Sequence, residues 1–207
     1  PHLQKYDPSY PTGTKTLSYL KGGIGDGIQF PVGSIPENFT IITVSRYAGS
    51  NKKRIFDAVS GNWLHGHHNG DNGVAHYGGW KTNSSSDAPG YNKGDWLIFG
   101  GQNKFANNWR DYSFFTIDGV WDDRGVWANL ARTGSPGTGN LQLSINHGAH
   151  NQNSDWEVRE VLIWNTHLTK EEYAEAYVNL NNAETPTDNP TWPESDNLVG
   201  WYHASTF

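Results

Sequence analysis

The sharpest alternation of apolar and polar positions lies at residues 39–47, Phe-Thr-Ile-Ile-Thr-Val-Ser-Arg-Tyr. The run is rich in β-branched residues and is bounded by Pro36 and by Ala48-Gly49-Ser50-Asn51, so it predicts a strand. Shorter runs of the same kind follow at 28–30, 54–59, 63–67, 73–77, 96–99, 112–117, 141–146 and 156–164. Gly and Asn turns separate them, among them Ser60-Gly61-Asn62, Asn69-Gly70-Asp71-Asn72-Gly73 and Gly100-Gly101. Many short strands with such turns predict a sandwich or barrel. Residues 1–20 are polar and carry Pro1, Pro8 and Pro11, which reads as an extended lead-in. The glycines of Lys21-Gly22-Gly23-Ile24-Gly25-Asp26-Gly27 lack the Lys-Ser/Thr ending and the helix of a phosphate loop, so they read as a turn.

One helix stands out. Thr169-Lys170-Glu171-Glu172 has the form of a capping box. Tyr173, Ala176, Tyr177 and Leu180 then fall on one stripe at i, i+3, i+4 and i+7. The expected helix is 170–181. It closes a domain of residues 1–182. Residues 183–196 carry Pro186, Pro190 and Pro193 and read as an extended linker. Residues 197–207 return to apolar and aromatic character, as a strand that ends the chain.

Composition narrows the class. Hydrophobic residues make up 35% and charged residues 17%, while 10 Trp, 10 Tyr and 8 Phe supply an aromatic core. That aromatic content excludes a disordered chain. The net charge is −6, with only 15 Lys and Arg, which argues against a nucleic-acid partner. No apolar run approaches the ~18 residues of a membrane span. Zero Cys excludes a disulfide framework and thiol chemistry. With Pro1 first and no Met, the chain reads as a processed or trimmed product, and an extracellular one. Asn38-Phe39-Thr40 and Asn83-Ser84-Ser85 are glycosylation sequons, so Asn38 and Asn83 are candidate modification sites.

Several stretches resemble a known family. Phe39-Thr40-Ile41-Ile42 with Arg46-Tyr47, then Asn62-Trp63-Leu64-His65-Gly66-His67, then Gly73-Val74-Ala75-His76-Tyr77 and Gly79-Trp80, are similar to the concanavalin A-like lectin/glucanase superfamily. The laminin-G/pentraxin-like extracellular modules of algae and other aquatic organisms look nearest. Residues 154–164 followed by Leu168–Glu172 resemble that family's last strand and closing helix. The resemblance covers about residues 24–181 and implies an all-β, two-sheet antiparallel jelly-roll sandwich. Such modules usually open with a strand like Leu-Val-Gly-Trp-Tyr. Here no strand of that form precedes residue 24, and Leu198-Val199-Gly200-Trp201-Tyr202 stands at the far end instead.

The displaced strand suggests three arrangements. A linker of about 14 residues spans at most roughly 45–50 Å, enough to return to its own sandwich or to reach a neighbour. Donation to a neighbour is head-to-tail and builds a filament of identical copies. A strand left over from a tandem array is the third arrangement. In the donor reading, Leu198, Val199, Trp201, Tyr202, Ala204 and Phe207 form the assembly strand.

Other candidate chemistry is sparser. His65, His67, His68 and His76 crowd one stretch, but no carboxylate or thiol sits at ligand spacing, so packing is the expected role and no metal is expected. Asp155, Glu157 and Glu160 form Asp-x-Glu-x-x-Glu, whereas laminarinase-type glucanases carry Glu-x-Asp-x-x-Glu. Without a bulge Glu157 and Glu160 would face opposite sides. Asp118, Asp122 and Asp123 make an acidic turn that matches no strict calcium-loop spacing. Trp80, Tyr91, Trp109, Trp121 and Trp127, in Gly/Asn-rich surroundings, are the candidate sugar-stacking residues. The expectation is a secreted, non-enzymatic structural module that polymerises through its last strand. A carbohydrate-binding lectin is the alternative and a glycoside hydrolase the third; no cofactor is expected.

Overall fold

A computed structural model describes residues 2–5, 18–82, 94–104, 116–117, 137–182 and 191–204. The described elements are β1 (His2–Lys5), β2 (Ser18–Gly22), β3 (Ile28–Gln29), β4 (Thr40–Tyr47), β5 (Phe56–Ala58), β6 (Trp63–His68), β7 (Asp71–Tyr77), β8 (Leu97–Gln102), β9 (Thr116–Ile117), β10 (Leu143–Ile145), β11 (Trp156–Trp164), α1 (Lys170–Asn182) and β12 (Leu198–His203). One sheet runs β1-β2-β11-β4-β8-β9, with β12 also on β11; the other runs β3-β10-β5-β6-β7. Every pairing is antiparallel. The chain is thus an all-β sandwich with few helical residues.

The two sheets enclose a core of Phe39, Ile41, Tyr47, Phe56, Trp63, Leu143, Trp156 and their neighbours. A second cluster lies on the far side of the first sheet. There Ile42, Val44, Trp96, Leu162 and Trp164 meet Tyr173, Ala176 and Leu180 of α1, together with Trp192. Strand β4 therefore buries both faces: Ile41 looks into the sandwich and Ile42 under the helix. Residues 39–47 alternate in sequence, yet no face of the strand is given to water. The capping box forms as a reciprocal pair. The Thr169 amide donates to Glu172 Oε2 at 2.6 Å, and the Glu172 amide donates to Thr169 Oγ1 at 3.3 Å.

Two features differ from the sequence expectation. A strand does precede residue 24: β2 pairs Gly22, Lys21 and Leu20 with Trp156, Glu157 and Val158 of β11. Its side chains split between the two cores, Leu20 inside the sandwich and Tyr19 on the helix side. The stretch 183–196 is also not linker throughout. Trp192 and Pro193 are buried, and Trp192, only 4% exposed, joins the cluster on the helix side.

Candidate functional site: a divided edge on β11

Strand β11 is paired along its whole length with β4 on one side. Its other side is shared end to end. β2 covers Trp156–Val158, and β12 covers Glu160 to Trp164 in the register Glu160↔His203, Val161↔Tyr202, Leu162↔Trp201. The changeover falls at Arg159, where the β11–β4 register slips between Val158 and Glu160. The slip is a bulge, and the core contacts require it. Trp156 and Val158 point into the sandwich, and so do Val161 and Ile163. Val161 follows Val158 by three positions, an odd step where a regular strand needs an even one, so one extra residue must be absorbed between them.

The bulge supplies the condition under which Glu157 and Glu160 share a side, which a regular strand would not allow. Both lie on the helix side of the sheet. Glu157 is held by Arg46 Nε at 2.5 Å and by Lys21 Nζ at 2.9 Å. Arg46 in turn lies over the Trp96 ring at 4.8 Å. Glu160 has a different setting. Its Oε1 accepts the indole N–H of Trp201 at 2.5 Å, while its Oε2 has no hydrogen-bond partner. His203 Nε2 stands 3.7 Å and Arg159 Nε 3.9 Å from that second oxygen. Burial pushes the Glu160 carboxyl up to about 7 against the opposing pull of Arg159 and the Trp201 hydrogen bond. Burial, with the Arg159 charge second, lowers His203 to about 4. Each glutamate is only 2% exposed, so the pair lines no open cleft. Asp155 is engaged elsewhere, accepting the amide and the side-chain N–H of Asn51, both at 2.9 Å.

The segment carrying β12 is anchored at several points. Trp192 packs edge-on against Trp201, with ring centroids 5.6 Å apart. Trp164 Nε1 donates to the Pro193 carbonyl at 2.8 Å, Asn179 Nδ2 to the Thr191 carbonyl at 2.6 Å, and the Asn165 amide to the Asn197 carbonyl at 2.9 Å. Tyr202 sits edge-on to Phe30 at 4.6 Å on the sandwich side. Ala204 is buried, Leu198, Trp201 and Tyr202 are half-buried, and Val199 is exposed. Phe207 lies outside the described residues. Trp192 and His203 escaped the sequence reading. A tryptophan inside a Pro-rich stretch was the available signal, since a large apolar ring is rarely left in water.

The histidines are packing residues. His65 is buried between Tyr77 OH, 2.7 Å from Nδ1, and the Phe99 carbonyl, 3.2 Å from Nε2. The carbonyl can only accept, so Nε2 carries the proton. His67 Nδ1 lies 3.5 Å from Ser45 Oγ, and its ring is edge-on to Tyr47. Burial lowers both to about 3. Among the described residues, no group of three or more His, Asp or Glu is arranged to hold a metal ion. Of the candidate sugar-stacking residues, Trp80 is half-buried and meets His68 and His76 edge-on at 5.4 and 5.0 Å. Tyr91, Trp109, Trp121 and Trp127 lie outside the described residues, as do Asn83 and the Asp118 turn. Asn38 is exposed in the bend before β4.

No protein-family model matches the chain, and no curated protein matches it. Solved structures resemble it at the level of overall shape. A Trypanosoma rangeli sialidase in complex with the inhibitor DANA is 12% identical, with a TM-score of 0.47. A mutant of that sialidase displaying trans-sialidase activity is 11% identical, with a TM-score of 0.47. The matches span 81% and 79% of this chain but only 28% of each sialidase. These neighbours are enzymes, which runs against the expectation of a non-enzyme, and that expectation is dropped. At this identity and TM-score the likeness transfers no activity, substrate or residue to the chain. No described helix is long and apolar enough to cross a membrane.

Proposed function

We propose that the chain is an extracellular assembly module with a concanavalin A-like jelly-roll sandwich, and that residues 191–204 are its exchangeable strand. In a free chain the segment closes its own sheet. In a polymer the same segment takes the same place on the next copy, head to tail. The observation that supports this is the divided edge of β11, whose Glu160–Trp164 half is completed by a segment whose covalent link to the rest runs through residues 183–190. The nine Cα steps from Asn182 to Thr191 reach at most about 30–32 Å, so a neighbour's edge must lie within that span.

The contacts are the same in either arrangement and cancel between them. What remains is hinge strain and the effective concentration of the tethered strand, on the order of millimolar for a short linker. Dilute chains therefore close on themselves, and assembly needs local crowding or a hinge that resists closure. Negative-stain microscopy and light scattering over a concentration series test this. Filaments, or a ladder of masses, that vanish in a chain ending at residue 190 support the reading. A 23.1 kDa monomer at every concentration sinks it.

A glycan-binding reading draws on one observation, the half-exposed Trp80 wedged between two imidazoles. Its test is a glycan array with intact chain and with Trp80→Ala. Binding lost in the variant would favour it.

A further inference from the structure

We infer that Glu160 is the residue by which the β11 edge selects its strand: the edge takes a strand bearing an N–H donor opposite Leu162, and the partner that fits is the 191–204 segment of a second copy of this chain. The inference rests on the assembly reading above and says what the edge recognises. Most of the seam is a main-chain ladder that any extended peptide could join. Selection has to come from side chains, and three positions of the strand are constrained.

Gly200 lies opposite Ile163, and a Cβ there would stand 2.8 Å from the Tyr202 ring. Tyr202 fills the place beside Phe30. Trp201 supplies the indole that meets Glu160. The first two constraints concern shape, and neighbouring side chains can yield to them. The third does not yield. Glu160 is buried, its Oε2 already lacks a hydrogen-bond partner, and its Oε1 has Trp201 alone. A strand with Phe in that position would bury a carboxylate with no donor on either oxygen. Leaving a buried acceptor unmet costs far more than making the bond contributes, which turns a modest attraction into discrimination. A buried carboxylate on a strand-accepting edge thus acts against foreign apolar strands, which an all-apolar edge would admit.

The test uses intact chain and a fluorescent peptide of residues 191–207. Wild-type chain is expected to take up this peptide about ten-fold more tightly than the Trp201→Phe peptide, the ratio set by one unmet buried acceptor. In Glu160→Met chain the preference is expected to disappear; Glu160→Gln, which keeps a side-chain oxygen for the indole, retains it. A second measurement needs no exchange between chains. Urea unfolding of Glu160→Met, Trp201→Phe and the double variant reads the same coupling within one chain, expected as about a ten-fold departure from additivity in the unfolding constant. Equal uptake of both peptides by wild-type chain, or additive single variants, overturns the inference. Coupling within the chain with no uptake of either peptide, even at millimolar peptide where it matches the tethered strand, leaves Glu160 as the selector of its own strand and overturns the assembly reading instead.

Discussion

Trp192→Ala probes whether residues 191–204 dock as a separable unit. The indole is 4% exposed and lies between α1, Trp164 and Trp201. Truncating a buried Trp costs about 3–5 kcal/mol. One term opposes this, because Trp192 Nε1 has no hydrogen-bond partner, and removing a buried orphan donor returns about 1 kcal/mol or more. The net loss is about 2–4 kcal/mol, whose lower end raises the undocked population by roughly 30-fold. The loss falls on the docked segment, because 183–190 is its only covalent tie to the sandwich. Amide hydrogen exchange reads it directly. Amides of β12 and the Glu160–Trp164 half of β11 should exchange at least 30-fold faster, while β5 and β6 keep their protection. The same variant should be cut more readily by protease within 183–190. Unchanged protection of β12 would refute the docking role of Trp192. A uniform rise across both sheets would show that the segment is not separable.

Other outcomes can be checked independently. His67→Leu should make the acid limb of stability shallower. Burial, with the His65 charge second, holds His67 at about 3, so the unfolded chain takes its proton first as pH falls below 6.5, and stability present above 6.5 is lost towards pH 3. At pH 5 His67 alone accounts for a loss of about 2 kcal/mol; His65, at about 3, and His203, at about 4, add losses of the same sign that both proteins share, so urea unfolding at pH 7.5 and 5 should show a drop smaller by about 2 kcal/mol in the variant than in the wild-type chain. Glu160, raised to about 7, pulls the opposite way, favouring the folded state as pH falls from 7 towards 4.5; comparing the two proteins cancels it. Gly22→Ala should lower Tm by several degrees, because its Cβ would stand 2.5 Å from the Trp156 indole, an overpacking cost of about 1–3 kcal/mol. Thr169→Ala removes half of the helix cap and should cost about 1 kcal/mol, a Tm drop of about 2–4 °C by calorimetry.

Local chemistry made parts of this molecule legible from sequence. The strand at 40–47 and the one at 156–164 follow from β-branched runs closed by turn residues, and α1 follows from its capping box and stripe. Those signals are read over a few residues, so they survive without knowledge of neighbours. The weak strand β2 was not readable, because Ser-Tyr-Leu-Lys-Gly sits at the end of a polar stretch and becomes a strand only by burying Tyr19 and Leu20 against β11 and β4. The candidate site depended even more on distance along the chain. Nothing near Arg159 announces a bulge; it is imposed by Val158 and Val161 both having to reach the same core. That one extra residue moves Glu160 to the side of Glu157 and beneath Trp201, 41 residues away in sequence. The apolar end of the chain showed in the sequence that something must cover it, while Trp192 reads there as part of the linker. Only the tertiary structure decided which edge does, because a strand's ladder and a buried carboxylate find their partners by fold, and not by sequence proximity.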